Sequence, residues 1–306
     1  MSYLPDMTTT IGNLVLENPV MVASGTFGFG EEYDGLMNVE ALGAIVTKGI
    51  SLEPRAGNPA PRTAETPCGL INSVGLQNPG LEGFVEDKLP WLQTISPKVV
   101  VNILGDSVDE YKTLARELDR VQGVDALEVN ISCPNVEHGG MAFGADSQTA
   151  KQVALAVRGA TDKPVLVKLS PNVTDLVRIA LAVESAGIDG LTLINTISAM
   201  AIDYATGKPR LGNVTGGLSG PAIRPVAVRA VFEVSRACKI PIVGCGGIVC
   251  WQDAVEFMRA GAVSVQVGSA TFRNPSSAND VLKGLENFLS DINCSSCREL
   301  VGTVKV

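Results

Sequence analysis

Ser185–Asn195 reads SAGIDGLTLIN, and Arg259–Gly268 reads RAGAVSVQVG. Both stretches follow one plan: the end of a helix, a glycine turn, then a short apolar run suited to a strand buried on both faces. Working outward, such runs recur at Val20–Ala23, Ala44–Lys48, Val99–Ile103, Leu127–Ile131, Val165–Leu169, Gly190–Asn195, Ile242–Gly246 and Ser264–Gly268. Helical spacing fills the intervals. After Asp106 and Ser107 come Val108, Tyr111, Leu114, Ala115, Leu118 and Val121. An apolar helix follows Thr174 and closes before Gly187, and WQDAVEFMRAG closes on Gly261. Alternating strand and helix predicts a parallel sheet. A doubly wound open sheet shows the same alternation, but eight repeats without a GxGxxG after the first strand favour closure. The expected fold is α/β: one (β/α)8 TIM barrel over residues 1–306. Two connections, Gly49–Lys98 after strand 2 and Thr196–Pro241 after strand 6, are too long for a βα unit. They read as long loop insertions that cover a site.

Composition agrees with a large buried core. Of 306 residues, 45% are hydrophobic and 18% charged, and the net charge is −8. No basic face for nucleic acid is visible. No charged segment precedes an apolar one at the start, and no apolar run reaches membrane-spanning length, so a cytoplasmic protein is expected. Seven cysteines are scattered along the chain, apart from Cys294 and Cys297 in a CxxC. An odd count in a long chain argues against a disulfide framework, and no second pair stands at zinc spacing. The pair reads as two incidental thiols on a terminal helix, and no metal site is expected.

Barrels carry their sites at the C-terminal ends of the strands. Those ends hold Ser24, Lys48, Asn102, Asn130 with Cys133 just beyond, Lys168, Asn195, Gly246–Gly247 and Gly268–Ser269. A lone buried Lys or Asn could be a partnered core residue, but several converging on one face point to a polar ligand. The last two strands run into GCGGI and QVGSA. Glycines there let backbone N–H groups approach a phosphate, helped by a helix N-terminus, although each motif alone could be a tight turn. A flavin suits the remainder. Lys168 would meet its pyrimidine edge, where a cation favours negative charge on the ring; alternatively Lys168 is a salt-bridged barrel lysine. Cys133 lies in NISCPN, on a loop stiffened by Pro134. A partly deprotonated loop thiol can act as a base; otherwise it is a small apolar residue. His138, the one histidine, reads as a surface or structural residue.

Together these residues resemble the class 1 dihydroorotate dehydrogenases over nearly the whole chain. The resemblance rests on ASGTFGFGEEY (Ala23–Tyr33), TKGISLEPRAGNPAPR (Thr47–Arg62), NSVGLQNPG (Asn72–Gly80), NISCPN, VKLSPN (Val167–Asn172), INT (Ile194–Thr196), GGLSGPAIRP (Gly216–Pro225) and GCGGI. It implies that Ser24, Lys48, Gly49, Asn102, Asn130, Lys168, Ile194, Gly220, Gly246, Gly247, Gly268 and Ser269 surround FMN. It implies that Lys48, Asn72, Ser73, Val74, Gly75, Leu76, Asn130, Asn195 and Thr196, with Asn135, hold dihydroorotate or orotate, and that Cys133 is the base. GTFGFGEEY and the HGGMAFG segment resemble the NAD-linked class 1B form. That form implies a partner subunit with FAD and a [2Fe–2S] cluster, in a heterotetramer of two catalytic and two electron-transfer chains. The C-terminal CSSC departs from the family pattern. The alternatives are a fumarate-linked class 1A enzyme, a dihydropyrimidine dehydrogenase-like subunit, and a non-catalytic sensor of a phosphate ligand. Uracil has no carboxylate for Lys48 to meet, and a sensor has no need of Cys133 beside two lysines.

Overall fold

In a computed structural model, which describes residues 4–132, 134–135 and 141–305, eight parallel strands close on themselves. Their order around the barrel is their order in the chain: Val20–Val22, Ala44–Val46, Lys98–Ile103, Ala126–Asn130, Val165–Leu169, Gly190–Leu193, Ile242–Cys245 and Ser264–Val267, which returns to the first. All eight expected strands are present, with ends displaced by no more than a few residues.

The two-residue period of each strand separates two environments. Val165, Val167 and Leu169 pack outward against the helices, while Leu166 turns inward. Met21, Ala44, Val46, Val100, Ala126, Leu166 and Val243 form an apolar interior at the N-terminal end of the barrel. A hairpin the sequence reading did not anticipate, Thr9–Ile11 with Leu14–Leu16, adds Ile11, Leu14 and Leu16 to that cluster. Its turn requires a left-handed residue, supplied by Gly12 at φ 56°. One inward position further along, the interior turns polar: Asn102, Glu128, Lys168, Thr192 and Gln266 are all buried.

The outer helices begin where polar caps precede apolar spacing. Ser107 caps Val108–Asp119 by accepting from Glu110 N, and Asp146 caps Ser147–Arg158 by accepting from Gln148 N and Thr149 N. Asp175 caps Leu176–Glu184. Trp251–Ala260 ends at Gly261, whose φ of 126° admits a glycine without strain.

The two long connections are not loops alone. Thr63–Thr66 and Gly69–Asn72 from the first pair with Thr215–Ser219 and Ile197–Met200 from the second, giving a four-stranded antiparallel sheet. The terminal cysteines also depart from expectation. Cys294 follows the last helix, Ser277–Asp291, and Cys297 opens the 3-10 turn Cys297–Leu300. Cys297 is buried against the Met7 carbonyl, and burial pushes its thiol up to about 11. It is a packed, protonated thiol in a 3-10 turn rather than a thiol on a terminal helix.

Candidate active site

The C-terminal mouth of the barrel and the antiparallel sheet enclose a cavity of about 610 Å3. Its wall carries Ser24, Lys48, Gly49, Asn102, Asn130, Lys168, Asn195 and Thr196 from barrel strand ends, with Asn72, Ser73, Val74, Gly75 and Leu76 from the first long connection. These residues come together as the sequence reading expected. Cys133 and His138 lie outside the described residues. Asn135 pairs through its backbone in the short strand Pro134–Asn135.

Two strand ends meet directly. Asn130 Oδ1 accepts from Asn195 Nδ2 at 3.2 Å and from Ser132 N at 3.2 Å, and Asn195 Nδ2 also lies 3.0 Å from Ser132 Oγ. Asn195 Oδ1 in turn accepts from Thr196 N at 2.8 Å. The first long connection is held by Asn58, which donates to Ser73 Oγ at 2.9 Å, and by Asn72, which donates to Gly217 O at 3.3 Å. Leu76 adopts φ 57°, uncommon for a bulky side chain; such backbone strain persists only where its surroundings enforce it.

Lys48 is half-buried on this wall, and no carboxylate among the described residues pairs with it. Burial, and then the Arg62 guanidinium, hold its pKa below the ordinary 10.5. An ammonium so placed is complementary to an anionic ligand. Lys168 is different. Its Nζ lies 3.7 Å from Glu128 Oε1 and donates to Gln266 Oε1 at 3.2 Å. Burial disfavours its charge, but Cys245 and Glu128 together outweigh burial and raise its pKa. Lys168 is therefore a salt-bridged barrel lysine that also reaches the cavity.

The glycines form a separate cradle beside the cavity. A Cβ on Gly247 would stand 2.8 Å from Gly220 O, and one on Gly220 would stand 3.7 Å from Ser269 Oγ. Gly246 and Gly247 have φ of 123° and 81°, and their N–H groups meet no acceptor among the described residues. Ile194 packs against Gly246, 3.4 Å from where its Cβ would be. The helix that follows the seventh strand is Trp251–Ala260. Asp253 accepts from Val249 N and Cys250 N at the start of Trp251–Ala260, and Arg224 pairs with Asp253. After the eighth strand comes the 3-10 turn Ser269–Phe272, and then the helix Ser277–Asp291.

Sequence reasoning missed Glu128, Gln266 and Thr192, all buried within strands. A carboxylate in ALEVN and an amide in SVQVG were the available signals. It also missed Arg55, which pairs with Asp106 at 2.8 Å on the cavity wall.

A closed parallel barrel with lysines and asparagines gathered at its C-terminal mouth defines a (β/α)8-barrel enzyme with a polar small-molecule site. Comparison with known proteins gives the particular family. A family model described as dihydroorotate dehydrogenase matches residues 6–289. The chain is 52% identical to "Dihydroorotate dehydrogenase B (NAD(+)), catalytic subunit" of Geotalea daltonii over 302 residues, covering 99% of both chains. It is equally similar to the protein of that name in Geobacter sulfurreducens, and 50% identical to that of Geotalea uraniireducens over 98% of both chains. The chain belongs to the dihydroorotate dehydrogenase family.

Proposed function

We propose that residues 1–306 form one FMN-binding catalytic domain that oxidises dihydroorotate to orotate in de novo pyrimidine (UMP) biosynthesis. The observation that carries this reading is Lys48, an ammonium on the cavity wall with no carboxylate partner among the described residues. Dihydroorotate and orotate supply a carboxylate, and the charge-assisted bond is strong where water is scarce.

The residues present fit FMN. Asn102 Oδ1 is buried without a hydrogen-bond partner among the described residues, and the N–H groups of Gly246 and Gly247 suit a phosphate. Ser24, Lys48, Gly49, Asn102, Asn130, Lys168 and Ile194 would hold the ring, and Gly220, Gly246, Gly247, Gly268 and Ser269 the phosphate. FMN bound there would supply an acceptor for the hydride that leaves C6 of dihydroorotate. Cys133 would be the base that takes the proton from C5. Asn72, Ser73, Val74, Gly75, Leu76, Asn130, Asn135, Asn195 and Thr196 orient the substrate so that both bonds break in place. The covering sheet limits water at the reacting carbons.

The electrons pass to NAD through a partner subunit carrying FAD and a [2Fe–2S] cluster, in a cytoplasmic heterotetramer of two catalytic and two electron-transfer chains. The words "NAD(+)" and "catalytic subunit" in the names of the relatives support NAD as the acceptor and a partner subunit. The test is flavin extraction followed by anaerobic titration with dihydroorotate. FMN at about one per chain, as one phosphate cradle requires, and bleaching of its absorbance are expected. FAD, or no flavin in freshly purified protein, would overturn the reading.

A further inference from the structure

Glu128 lies inside the barrel, 0% exposed, and none of the roles above uses it. Its Oε1 accepts from Asn102 Nδ2 at 2.8 Å and lies 3.7 Å from Lys168 Nζ. Its Oε2 accepts from Thr192 Oγ1 at 2.8 Å and from Gln266 Nε2 at 2.7 Å. A carboxylate beside an ammonium only accepts. Asn102 must therefore turn its NH2 toward Glu128, and its other end, Oδ1, is left buried next to Gly49 without a partner among the described residues. Asn102 and Lys168 converge on one oxygen of Glu128, and both line the cavity.

We propose that Glu128 is a positioning residue that locks the Asn102 amide, so that the cavity floor offers a carbonyl acceptor beside the Lys168 donor. That pattern selects a planar ligand bearing an N–H next to a carbonyl, the imide edge of a pyrimidine-type ring. The inference rests on the FMN reading, because the pyrimidine part of the flavin is the edge in question. Glutamine at position 128 would carry an NH2 of its own. It would face donors on at least one side, and Asn102 would be free to rotate and present its NH2 to the cavity.

The test compares FMN with FMN methylated at N3, which lacks the N–H, as ligands of deflavinated protein, followed by flavin fluorescence. The wild-type chain should prefer FMN by about tenfold or more, since the methyl leaves a buried acceptor unmet. In Glu128→Gln the preference should fall to within about threefold of unity, on the same scale, whereas general loosening of the barrel would weaken both ligands together and keep their ratio. If Glu128→Gln does not fold, Thr192→Val removes one donor to the same carboxylate and should lower the ratio by a smaller factor. A wild-type ratio retained in a folded variant overturns the proposal alone. Wild-type protein that binds neither flavin overturns the FMN reading and this inference with it.

Discussion

Asn195 Nδ2 donates to Ser132 Oγ across 3.0 Å, joining residues 63 positions apart. The bond ties the loop leaving the fourth barrel strand to the end of the sixth, one residue before Cys133. Asn195→Ala removes this tie and the bond to Asn130 together. Turnover should fall by about tenfold or more, the scale of one buried polar group left unmet, while FMN content stays unchanged. Steady-state kinetics on flavin-loaded protein checks it, and unaltered kcat and KM would show that the loop is held by other contacts.

Cys133→Ala should retain FMN and orotate binding but lose about 10²-fold or more in turnover, as expected on removal of a general base. Cys133→Ser should lose less at high pH than at neutral pH, because serine is the poorer base near neutrality. Turnover of dihydroorotate by the alanine variant at a near-normal rate would remove Cys133 from the mechanism.

Lys48→Ala should raise the orotate dissociation constant at least tenfold, about 1.4 kcal/mol. A pH effect of defined sign accompanies it. Burial and Arg62 lower the Lys48 pKa from 10.5, so the unfolded chain holds this proton at pH values where the folded one has lost it. As pH rises through the lowered value toward 10.5, Lys48 adds stability to the ligand-free protein and orotate binds more weakly. Orotate titrations across that alkaline window, on wild type and Lys48→Ala, should show the slope only in the wild type. Equal orotate affinity in the two proteins would leave Lys48 a role toward FMN alone.

The isolated chain should reduce dyes with dihydroorotate and reduce NAD negligibly. Adding the iron–sulfur flavoprotein subunit should confer NAD reduction and give a stable complex. The fumarate-linked alternative predicts a self-sufficient homodimer. Rapid fumarate reduction with no gain from any partner would select it and leave the dihydroorotate chemistry intact.

Much of the site was legible because barrel geometry places strand ends together. Once SAGIDGLTLIN and RAGAVSVQVG identify the repeating unit, Lys48, Asn102, Asn130, Lys168 and Asn195 need only be the last residues of their strands to share one mouth. The glycine cradle was legible in part. Gly246, Gly247 and Gly268 stood at strand ends, but the bonds from Val249 N and Cys250 N to Asp253 were not visible. Lys168 was visible as a site residue, yet its counter-ion was not, because Glu128 lies mid-strand and only closure brings the two within 3.7 Å.

By itself the sequence determined the eight barrel strands, the helices between them and the face on which the polar residues gather. These follow from local periodicity, which a few consecutive residues carry. Only the tertiary structure decided what those residues meet. Asn72 reaches Gly217 across 145 positions because two connections that read as separate loops pair into one sheet over the cavity. Asn102 presents an unpaired carbonyl because Glu128, from the neighbouring strand, takes its NH2. Strand pairing and buried hydrogen bonds join partners far apart in the chain, and no local pattern records which distant group will satisfy them.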